Sequence, residues 1–330
     1  MEIEESLDLV RGAVNERNLV PVLTHFCIHE GRIHGSNGRV SINAPFEAYR
    51  DEAVVVPAIP FHKAIDKCEW NPIVEFAENH LVIKSKVRKM RRIRLPLSGD
   101  TYSKPIVSGT RYEIPPGYRE ALYRVREFIS KDASRPWAMG VLHQDGYLYA
   151  TNNVVLVRTK FDWPAEWPIV GVPSFAIDEL LRITRLSGRP MIPKYIWIDD
   201  NSVSYEYEND VWLHSVLYEA DWPDVQSMIP DCSDLPKLPH DFRHVTEDMV
   251  PFNEDEKFPI VKYSGKRIST LEGDMIAEDE LEDEVAEAAF HAIPLQMVLH
   301  YAERMDLSPY PKPCPFTGMG LEGVIVGVRI

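Results

Sequence analysis

Residues 149–159, YATNNVVLVRT, alternate apolar and polar side chains, pass through a pair of asparagines and continue as four apolar residues. The stretch and its left flank occur twice: residues 145–157, DGYLYATNNVVLV, align without a gap with residues 30–42, EGRIHGSNGRVSI, 115 positions earlier. An acid, Gly, Ile or Leu, a small residue, Ser or Thr, and Asn follow in the same order in both copies. The acid-Gly pair suits a two-residue turn, so each copy predicts a β-hairpin.

A second element repeats at almost the same distance. Residues 54–68, VVVPAIPFHKAIDKC, match residues 170–184, VGVPSFAIDELLRIT, and Pro57 and Pro173 lie 116 positions apart. In both copies a short apolar run ends at a proline that suits the first turn of a helix, and apolar residues then recur at helical spacing. Residues 290–305, FHAIPLQMVLHYAERM, are a weaker third copy. The pattern predicts a strand followed by a helix in each of three modules. In the second module the predicted helix covers residues 174–186, buries Ile177, Leu180 and Leu181, and has an exposed line formed by Asp178, Arg182, Arg185 and, beyond its end, Arg189.

Each module also has an opening helix and closing strands. Apolar periodicity predicts opening helices over residues 6–17 and 116–131, and residues 240–252 are the only candidate in the last module. Two helices and about six to eight strands in a module of about 110 residues indicate an α+β fold. We therefore predict three similar domains, each with two helices packed on antiparallel sheet, over residues 1–109, 110–229 and 230–330.

The composition excludes several classes of protein. A chain of 330 residues with 45% apolar content is long enough for two or three domains with cores. The first residues, MEIEESLDLVRG, carry acids where a signal peptide carries bases, and no apolar run reaches about 18 residues. We expect a soluble, cytoplasmic protein. The four cysteines are far apart, which favours buried free thiols over a zinc site or a redox pair.

The charge is strongly acidic but unevenly distributed. The net charge is -15, and residues 230–330 contain 20 acidic and 9 basic residues. Such a total argues against nucleic-acid binding, which depends on neutralising phosphates, unless the basic residues gather on one face. The predicted helices and their flanks gather such residues, and few aromatic side chains interleave them, which favours a surface for duplex phosphates over ordinary solvated helix faces. The predicted DNA-facing residues are Arg11, Arg17, Lys63, Lys67, Arg119, Arg124, Arg126, Lys131, Arg182, Arg185 and Arg189.

No catalytic motif occurs in the sequence. There is no GxxxxGK[ST], strand-linked GxGxxG, HExxH or GxSxG. Residues 317–323, TGMGLEG, lead into a predicted strand and indicate a turn. The acid run at residues 278–287, EDELEDEVAE, lacks the spacing of a calcium loop, which favours a solvated strand edge or loop over a metal site. We predict no metal, no cofactor and no enzymatic activity.

The three modules, the basic helices and the missing catalytic motifs together resemble the bacterial DNA polymerase III beta subunit, the DNA sliding clamp. The resemblance rests on residues 15–42 with the following strand and helix, on residues 135–159 with theirs, on ADWPDVQSMIP at residues 220–230, and on VIVGVRI at residues 324–330. It covers nearly the whole chain and is strongest in the second predicted domain. It implies a head-to-tail homodimeric ring of six domains, with helices lining a central hole around duplex DNA.

The resemblance also assigns roles to residues. The basic residues would contact the DNA backbone without reading bases, and Arg17 falls on the loop arginine that contacts DNA in the family. Partners of the family, DNA polymerase and clamp loader among them, dock a short linear peptide in an apolar groove between the second and third domains. The corresponding groove residues in this chain are Ala138, Thr151, Asn153, Val154, Val155, Leu156, Pro223, Ser227, Met228, Val324, Val326, Val328, Arg329 and Ile330.

Departures from the family pattern occur at the groove. The family has Thr-Asp-Gly-His-Arg-Leu where this chain has TNNVVL at residues 151–156, and Met-Pro-Met-Arg-Leu where it ends VGVRI. These changes imply a different preferred peptide, and with a shorter chain and a reduced helix near His240 they point to a phage-encoded clamp. Two alternatives remain: a clamp-like accessory factor or decoy that binds clamp-interacting peptides in transcription or repair, and a metal-dependent hydrolase that uses the acid run.

Overall fold

The structure is a computed structural model that describes residues 1–48, 51–68, 72–86, 90–98, 105–186, 191–253, 257–271 and 276–330. Six α-helices occur in these ranges: α1 (Ile3–Arg11), α2 (Ala58–Asp66), α3 (Tyr118–Arg126), α4 (Ser174–Leu186), α5 (Phe242–Met249) and α6 (Ala292–Leu299). Short 3₁₀ helices cover Pro21–Thr24, Pro136–Met139, Glu208–Asp210, Gln226–Met228 and Val250–Phe252.

The strands, in chain order, are β1 (His25–His29), β2 (Arg32–Ser36), β3 (Val40–Pro45), β4 (Val54–Pro57), β5 (Ile73–Phe76), β6 (His80–Lys86), β7 (Met90–Pro96), β8 (Thr110–Glu113), β9 (Gly140–Gln144), β10 (Tyr147–Thr151), β11 (Val155–Lys160), β12 (Val170–Pro173), β13 (Pro193–Ile198), β14 (Ser202–Tyr207), β15 (Trp212–Val216), β16 (Ile260–Thr270), β17 (Glu278–His291), β18 (Arg304–Met305), β19 (Cys314–Gly318) and β20 (Leu321–Ile325).

Both predicted hairpins are confirmed, with the same turn. The φ angles are 49° at Glu30 and 70° at Gly31, and 46° at Asp145 and 83° at Gly146. Positive φ at both central residues is the geometry of a type I′ turn, whose twist matches that of antiparallel strands. Strands β1 and β2, and β9 and β10, pair antiparallel across these turns. The TGMGLEG segment is also a hairpin turn, as predicted, between β19 and β20.

The asparagine that follows each hairpin closes a second turn. The Asn37 side-chain carbonyl accepts hydrogen bonds from the backbone N–H groups of Arg39 and Val40, and Asn152 accepts the corresponding bonds two and three residues on, at 3.1 and 2.8 Å. Such side chains mimic a backbone turn. The residue after each asparagine has positive φ, 85° at Gly38 and 74° at Asn153. Asparagine tolerates this conformation better than most residues, so the turn keeps its shape without glycine.

The chain divides into two compact units. The first contains Met1–Pro116 and Phe175–Tyr218, and the second contains Gly117–Ser174 and Glu219–Ile330. The first unit has an antiparallel sheet in the order β4-β1-β2-β3-β15-β14-β13-β8, and the second has the order β12-β9-β10-β11-β20-β19-β18. We call the strands that precede the second helix of a module its opening strands. Each sheet joins four opening strands of one predicted module to closing strands of the next, and the first sheet also contains β8, which precedes α3. The sequence repeat therefore extends to topology. The three domain boundaries stay a prediction.

Two smaller sheets complete the described strands. Strands β5, β6 and β7 form a three-stranded sheet, and β16 pairs only with β17 in the described residues. Strand β17 ends at His291, directly before α6, as β4 ends before α2, so the weak third copy of the strand-helix element is confirmed. Between β16 and β17 the third module forms one long ribbon, with register shifts near Gly265, where the earlier modules have an extra hairpin. This module is therefore the most divergent.

The helices lie at their predicted positions, but the opening helices of the first two modules are shorter than predicted. Helix α4 has the predicted bounds, whereas the predicted helices over residues 6–17 and 116–131 end at Arg11 and Arg126. A capping box between Glu2 and Glu5 moves the start of α1 to Ile3. In the third module, Pro251 lacks an N–H donor, and the chain continues from α5 as a single 3₁₀ turn.

Each sheet is covered by helices on one face. Helix α1 packs on β2 and β3, α2 packs on β1 and β4, and α3 packs on β9, β10 and β11. The buried helix residues are apolar with few exceptions, and Phe61, Leu122 and Leu180 are completely inaccessible. The four cysteines are buried and free, as predicted, and burial raises the pKa of the Cys27 thiol to about 11. None of the described helices has the length and hydropathy that a membrane span needs.

Candidate DNA-facing helices and partner-docking surface

The basic residues predicted on the first two helices are solvent-exposed. Arg11 is the last residue of α1, and Arg17 lies in the bend that follows it. Lys63 lies in the last turn of α2 and Lys67 is its C-cap residue. All four side chains are exposed, so they can meet a phosphate backbone. Their contact with DNA stays a prediction.

Arg182 on α4 is not the freely exposed side chain that the sequence predicts. Its Nη1 and Nη2 atoms donate to the backbone carbonyls of Asp8 and Leu9, at 2.8 and 2.6 Å, and its Nε atom donates to the Glu179 carboxylate at 2.7 Å. Those two carbonyls belong to the last turn of α1, which has no intrahelical donors for them. Arg182 thus ties α4 to the C-terminal end of α1, and its contact with DNA stays a prediction.

The other residues on the predicted exposed line of α4 are Asp178, Arg185 and Arg189. Asp178 and Arg185 are exposed, as predicted. Arg189 lies outside the described residues. Ile177, Leu180 and Leu181 form the buried side, which confirms the amphipathic assignment of this helix.

The arginines of helix α3 differ in solvent exposure. Arg126 is exposed, and Lys131 is exposed beyond the end of the helix. Arg119 is half-buried, with its guanidinium carbon 5.6 Å from the centre of the Tyr123 ring. Arg124 is also half-buried and lies against Gly320 in the β19–β20 turn. Arg126 and Lys131 are therefore the more accessible basic residues of this helix.

The central groove residues lie on the opposite face of the second sheet from α3. Thr151 pairs with Leu156, and Leu156 pairs with Val324, so the three side chains share one face. Leu156 and Val324 are only 7% and 5% exposed. They pack in a cluster with Leu142 and Tyr149 of the sheet and with four residues that follow β15 in the chain, Val225, Ile229, Cys232 and Leu235. The floor of the predicted groove is therefore apolar and largely covered.

The covering segment, residues 219–236, is called the strap. Its Trp222 indole lies against Gly171 of β12, where a Cβ atom would be 2.8 Å from the indole nitrogen. Trp222 also meets Trp137 edge to face, with ring centres 5.2 Å apart. Both indoles are half-buried. Sequence reasoning missed these two residues, although each is the chain neighbour of a predicted groove residue, Ala138 or Pro223.

Two predicted groove residues do not line the surface. Val155 is completely buried, because it neighbours Leu156 along β11 and successive residues of a strand point to opposite faces. Ala138, in the 3₁₀ helix that precedes β9, is also completely buried. Both residues lie beneath the surface, and their part in a peptide groove stays a prediction.

The C-terminal tail is tied beside the TNNV turn. The Val326 N–H donates to the Val154 carbonyl at 2.9 Å, and the Val328 N–H donates to the Ala289 carbonyl at 2.8 Å. The Tyr310 hydroxyl donates to the Val328 carbonyl at 2.5 Å. These bonds hold the last residues along the second unit.

Exposed apolar residues flank the covered floor. Met228 and Val326 are 53% and 42% exposed, and Val154 is half-buried. We call these three residues the docking surface. Ile330, which is 59% exposed, lies with Val328 and Arg329 along β16 and β17. Three more predicted groove residues, Pro223, Ser227 and Arg329, are exposed, while Asn153 and Val328 are half-buried.

The hydroxyl of Thr151 stabilises the turn at this surface. It donates to the Val155 carbonyl at 2.8 Å and accepts from the Asn153 N–H at 3.0 Å. With the Asn152 bonds, this network holds Val154 beside the tail. The turn thus places a valine where the family pattern has a histidine, so it presents an apolar side chain at that position.

A charged pair lies next to the apolar cluster on the same face. The Arg158 guanidinium and the Glu322 carboxylate meet at 2.8 Å, and the Arg158 guanidinium carbon is 4.8 Å from the centre of the Tyr147 ring. Burial raises the pKa of Tyr149, and the charge of Arg158 opposes that shift. Arg158 is therefore already paired within the sheet, and its charge is balanced by Glu322.

The first unit has a cavity of about 570 Å³ on the corresponding face of its own sheet. His34, Ser41 and His214 line it, at positions that the repeat equates with Tyr149, Leu156 and Val324. The His214 Nδ1 atom pairs with the Ser204 hydroxyl, and burial lowers the His214 pKa, which favours a neutral ring. The two sheets thus have the same strand arrangement, but this face carries polar side chains in the first unit and mainly apolar side chains in the second.

The acid run forms part of β17, with most of its carboxylates exposed. This confirms the interpretation as a solvated strand. Across the described ranges, no three His, Cys, Asp or Glu side chains are grouped so that they could hold a metal ion. The hydrolase alternative therefore has no supporting geometry in that part of the chain.

Comparison with known proteins identifies the fold. No family model matches the chain, and a search of curated proteins finds no match. Among solved structures, it is similar to the DNA polymerase III beta subunits of Caulobacter crescentus, Pseudomonas aeruginosa and Thermotoga maritima. The sequence identities are 19, 18 and 16%, and the TM-scores are 0.81, 0.80 and 0.79. The matches cover 99, 99 and 100% of this chain and 97% of each of those chains. The α+β sliding-clamp fold expected from the sequence is confirmed.

Proposed function

We propose that the chain is a DNA sliding clamp, a non-catalytic processivity factor that encircles duplex DNA and tethers a DNA polymerase. The observation that carries the proposal is the clamp fold over the whole chain, built from a repeated sheet of opening and closing strands. In this proposal the repeat units are three domains, residues 1–109, 110–229 and 230–330. The protein acts in the cytoplasm, and the clamp loader and polymerase share its docking surface.

Incomplete sheets support assembly as a head-to-tail homodimer. In the described residues, β5, β6 and β7 are closing strands without opening strands, and β16 and β17 are opening strands without closing strands. A second copy of the chain can supply both missing parts. Charge supports the pairing, because β7 exposes Arg92 and Arg94 whereas β17 exposes a run of carboxylates. Two such contacts close a ring.

The distribution of functional surfaces supports encirclement. In the second unit, α3 covers one face of the sheet, and the docking residues belong to the other face. Basic helices that face a central hole attract the phosphate backbone without base contacts, so the ring slides. An acidic exterior keeps DNA from binding outside. Partners then reach the docking surface without competing with DNA.

Retention on circular DNA tests the proposal. In solution, light scattering is expected to give about twice the chain mass of 37.8 kDa. After loading by its clamp loader onto nicked circular duplex, the protein is expected to stay bound through gel filtration and to dissociate when a restriction enzyme linearises the circle. The physical reason is that a closed ring leaves duplex DNA only at an end. Equal loss from circular and linear DNA would contradict encirclement.

A further inference from the structure

The strap places an unbalanced negative charge beside the docking surface. It carries Glu219, Asp221, Asp224, Asp231 and Asp234 and no Lys or Arg, and all five acids are solvent-exposed. The strap is not a free loop, because its Val225 and Ile229 side chains pack into the cluster that contains Leu156 and Val324. The acids are therefore held at the edge of the apolar site.

Local hydrogen bonds fix two of these carboxylates. Asp224 accepts from the Ser227 N–H at 3.3 Å, and Asp231 accepts from the Ser233 N–H at 3.0 Å. The bonds from Ser233, and the nearby charge of Arg158, lower the pKa of Asp231, so this group is ionised at neutral pH. Carboxylates held in this way present a stable negative field to an approaching segment.

Basic residues near the site do not balance the strap. Arg158 is paired with Glu322. Arg135, Arg329 and Lys237, which directly follows the strap, are exposed, and Arg304 donates to the Leu235 carbonyl of the strap at 2.6 Å. These four basic residues are fewer than the five strap carboxylates, so the site keeps an excess of negative charge. The TNNV turn adds no positive charge, since Val154 and Val155 stand where the family pattern has His and Arg.

We infer that the docking surface selects partner segments with an apolar core and Lys or Arg residues flanking it on the strap side. Met228, Val154 and Val326 would hold the apolar core, and the strap carboxylates would meet the basic flank. Complementary charge at a rim acts mainly on selectivity and association rate. This inference rests on the proposed function, because it names the chemistry of the partner at the same surface.

Two labelled peptides test the inference. Both contain the core Leu-Ser-Leu-Leu, flanked on each side by Lys-Lys in one peptide and by Glu-Glu in the other, with blocked ends and a fluorescein label. Fluorescence anisotropy with the full chain is expected to show about tenfold tighter binding of the Lys peptide at about 50 mM salt. The ratio should shrink towards one at about 300 mM salt, because salt screens exposed charges.

A charge-neutral strap provides the direct test. The triple variant Glu219→Gln, Asp221→Asn, Asp234→Asn changes exposed side chains and is expected to weaken the Lys peptide about fivefold while the Glu peptide binds no more weakly. The matched control neutralises three exposed acids of the first unit, Glu47→Gln, Glu78→Gln and Asp200→Asn. The control should retain the preference although its net charge changes by the same amount, because none of its three acids lies on the strap.

The substitution Met228→Asp separates failure of the inference from failure of the docking surface. Met228 is 53% exposed, so the change disturbs the surface without burying a charge. If it weakens both peptides, and yet the native chain binds the two equally or prefers the Glu peptide, only the charge selection is overturned. If neither peptide binds the native chain, or if both bind the variant unchanged, the docking surface itself is overturned together with the inference.

Discussion

Replacing Arg182 with methionine is expected to lower the free energy of unfolding by about 2–4 kcal/mol. Methionine keeps much of the aliphatic volume but removes all three donors. The Asp8 and Leu9 carbonyls at the end of α1 then lose their partners, and the half-buried Glu179 carboxylate loses its counter-ion. An unpaired polar group with limited access to water costs more than the hydrogen bond it made. Urea unfolding of native and variant chains measures the difference.

The matched control is Arg185→Met on the same helix. Arg185 is exposed, so we expect a change in stability of no more than about 0.5 kcal/mol. Its effect should appear in DNA binding instead. Loss of one phosphate contact reduces the slope of log affinity against log salt by about 0.9. A stability loss as large as that of Arg182→Met would refute the division of roles between the two arginines, and an unchanged salt slope would exclude a DNA contact for Arg185.

Local sequence patterns predicted the elements of this fold well because each pattern has a local physical cause. The acid-Gly pairs at 30–31 and 145–146 adopt positive φ angles, which few other residue pairs tolerate. Helix α4 has the bounds that its apolar periodicity predicts. The sequence repeat predicted the three modules, because repeated modules tend to bury side chains at equivalent positions. Resemblance to a family then supplied the fold, which the solved structures confirm.

The functional site was less predictable, because its residues meet through long-range contacts. Arg182 reads as one more exposed arginine on an amphipathic helix, and only the fold brings it to α1, more than 170 positions earlier in the chain. The strap reads as a linker, but it covers Leu156 and Val324. Val155 was assigned to the groove by alignment, although the alternation of β11 turns it towards the other face. In each case the local pattern predicts the element correctly, but it does not show which distant residues the element contacts.

The third module shows a different limit of sequence reasoning. Its strand-helix element is present, but β16 and β17 pair along their length in place of the hairpin found in the first two modules. The sequence of this module lacks the repeated hairpin motif of the first two modules, and the absence of a motif does not predict which structure forms instead. This ribbon also bears the densest acidic run of the chain, so divergence in the module concentrates where the proposed second copy would bind.

Lowering the pH from 6.5 to about 4 is expected to remove about 3 kcal/mol of stability through one histidine. His143 is completely buried in the second unit, and burial lowers its pKa from 6.5 to about 4. Its Nδ1–H donates to the Val141 carbonyl at 3.0 Å, and its Nε2 atom accepts from the Tyr118 hydroxyl at 2.8 Å. This bonding satisfies a neutral ring within the core.

The sign follows from the depressed pKa of a base. The unfolded chain binds a proton at this histidine below pH 6.5, whereas the folded chain resists it until about pH 4. The contribution of His143 is therefore complete above pH 6.5 and is lost as the pH falls through that window. Urea unfolding, followed by the fluorescence of Trp163, whose ring centre is 4.8 Å from that of His143, measures stability at each pH.

The substitution His143→Gln isolates this histidine from the carboxylates that also titrate in acid. A glutamine amide can donate to Val141 and accept from Tyr118, but it does not titrate in this range. We expect the variant to be less stable than the native chain at pH 7, because the amide packs less well, and to lose about 3 kcal/mol less between pH 6.5 and 4. The same change at His244, an exposed residue of α5, should leave the native pH dependence in place. Parallel curves for native and His143→Gln chains would show that the buried ring does not govern acid stability.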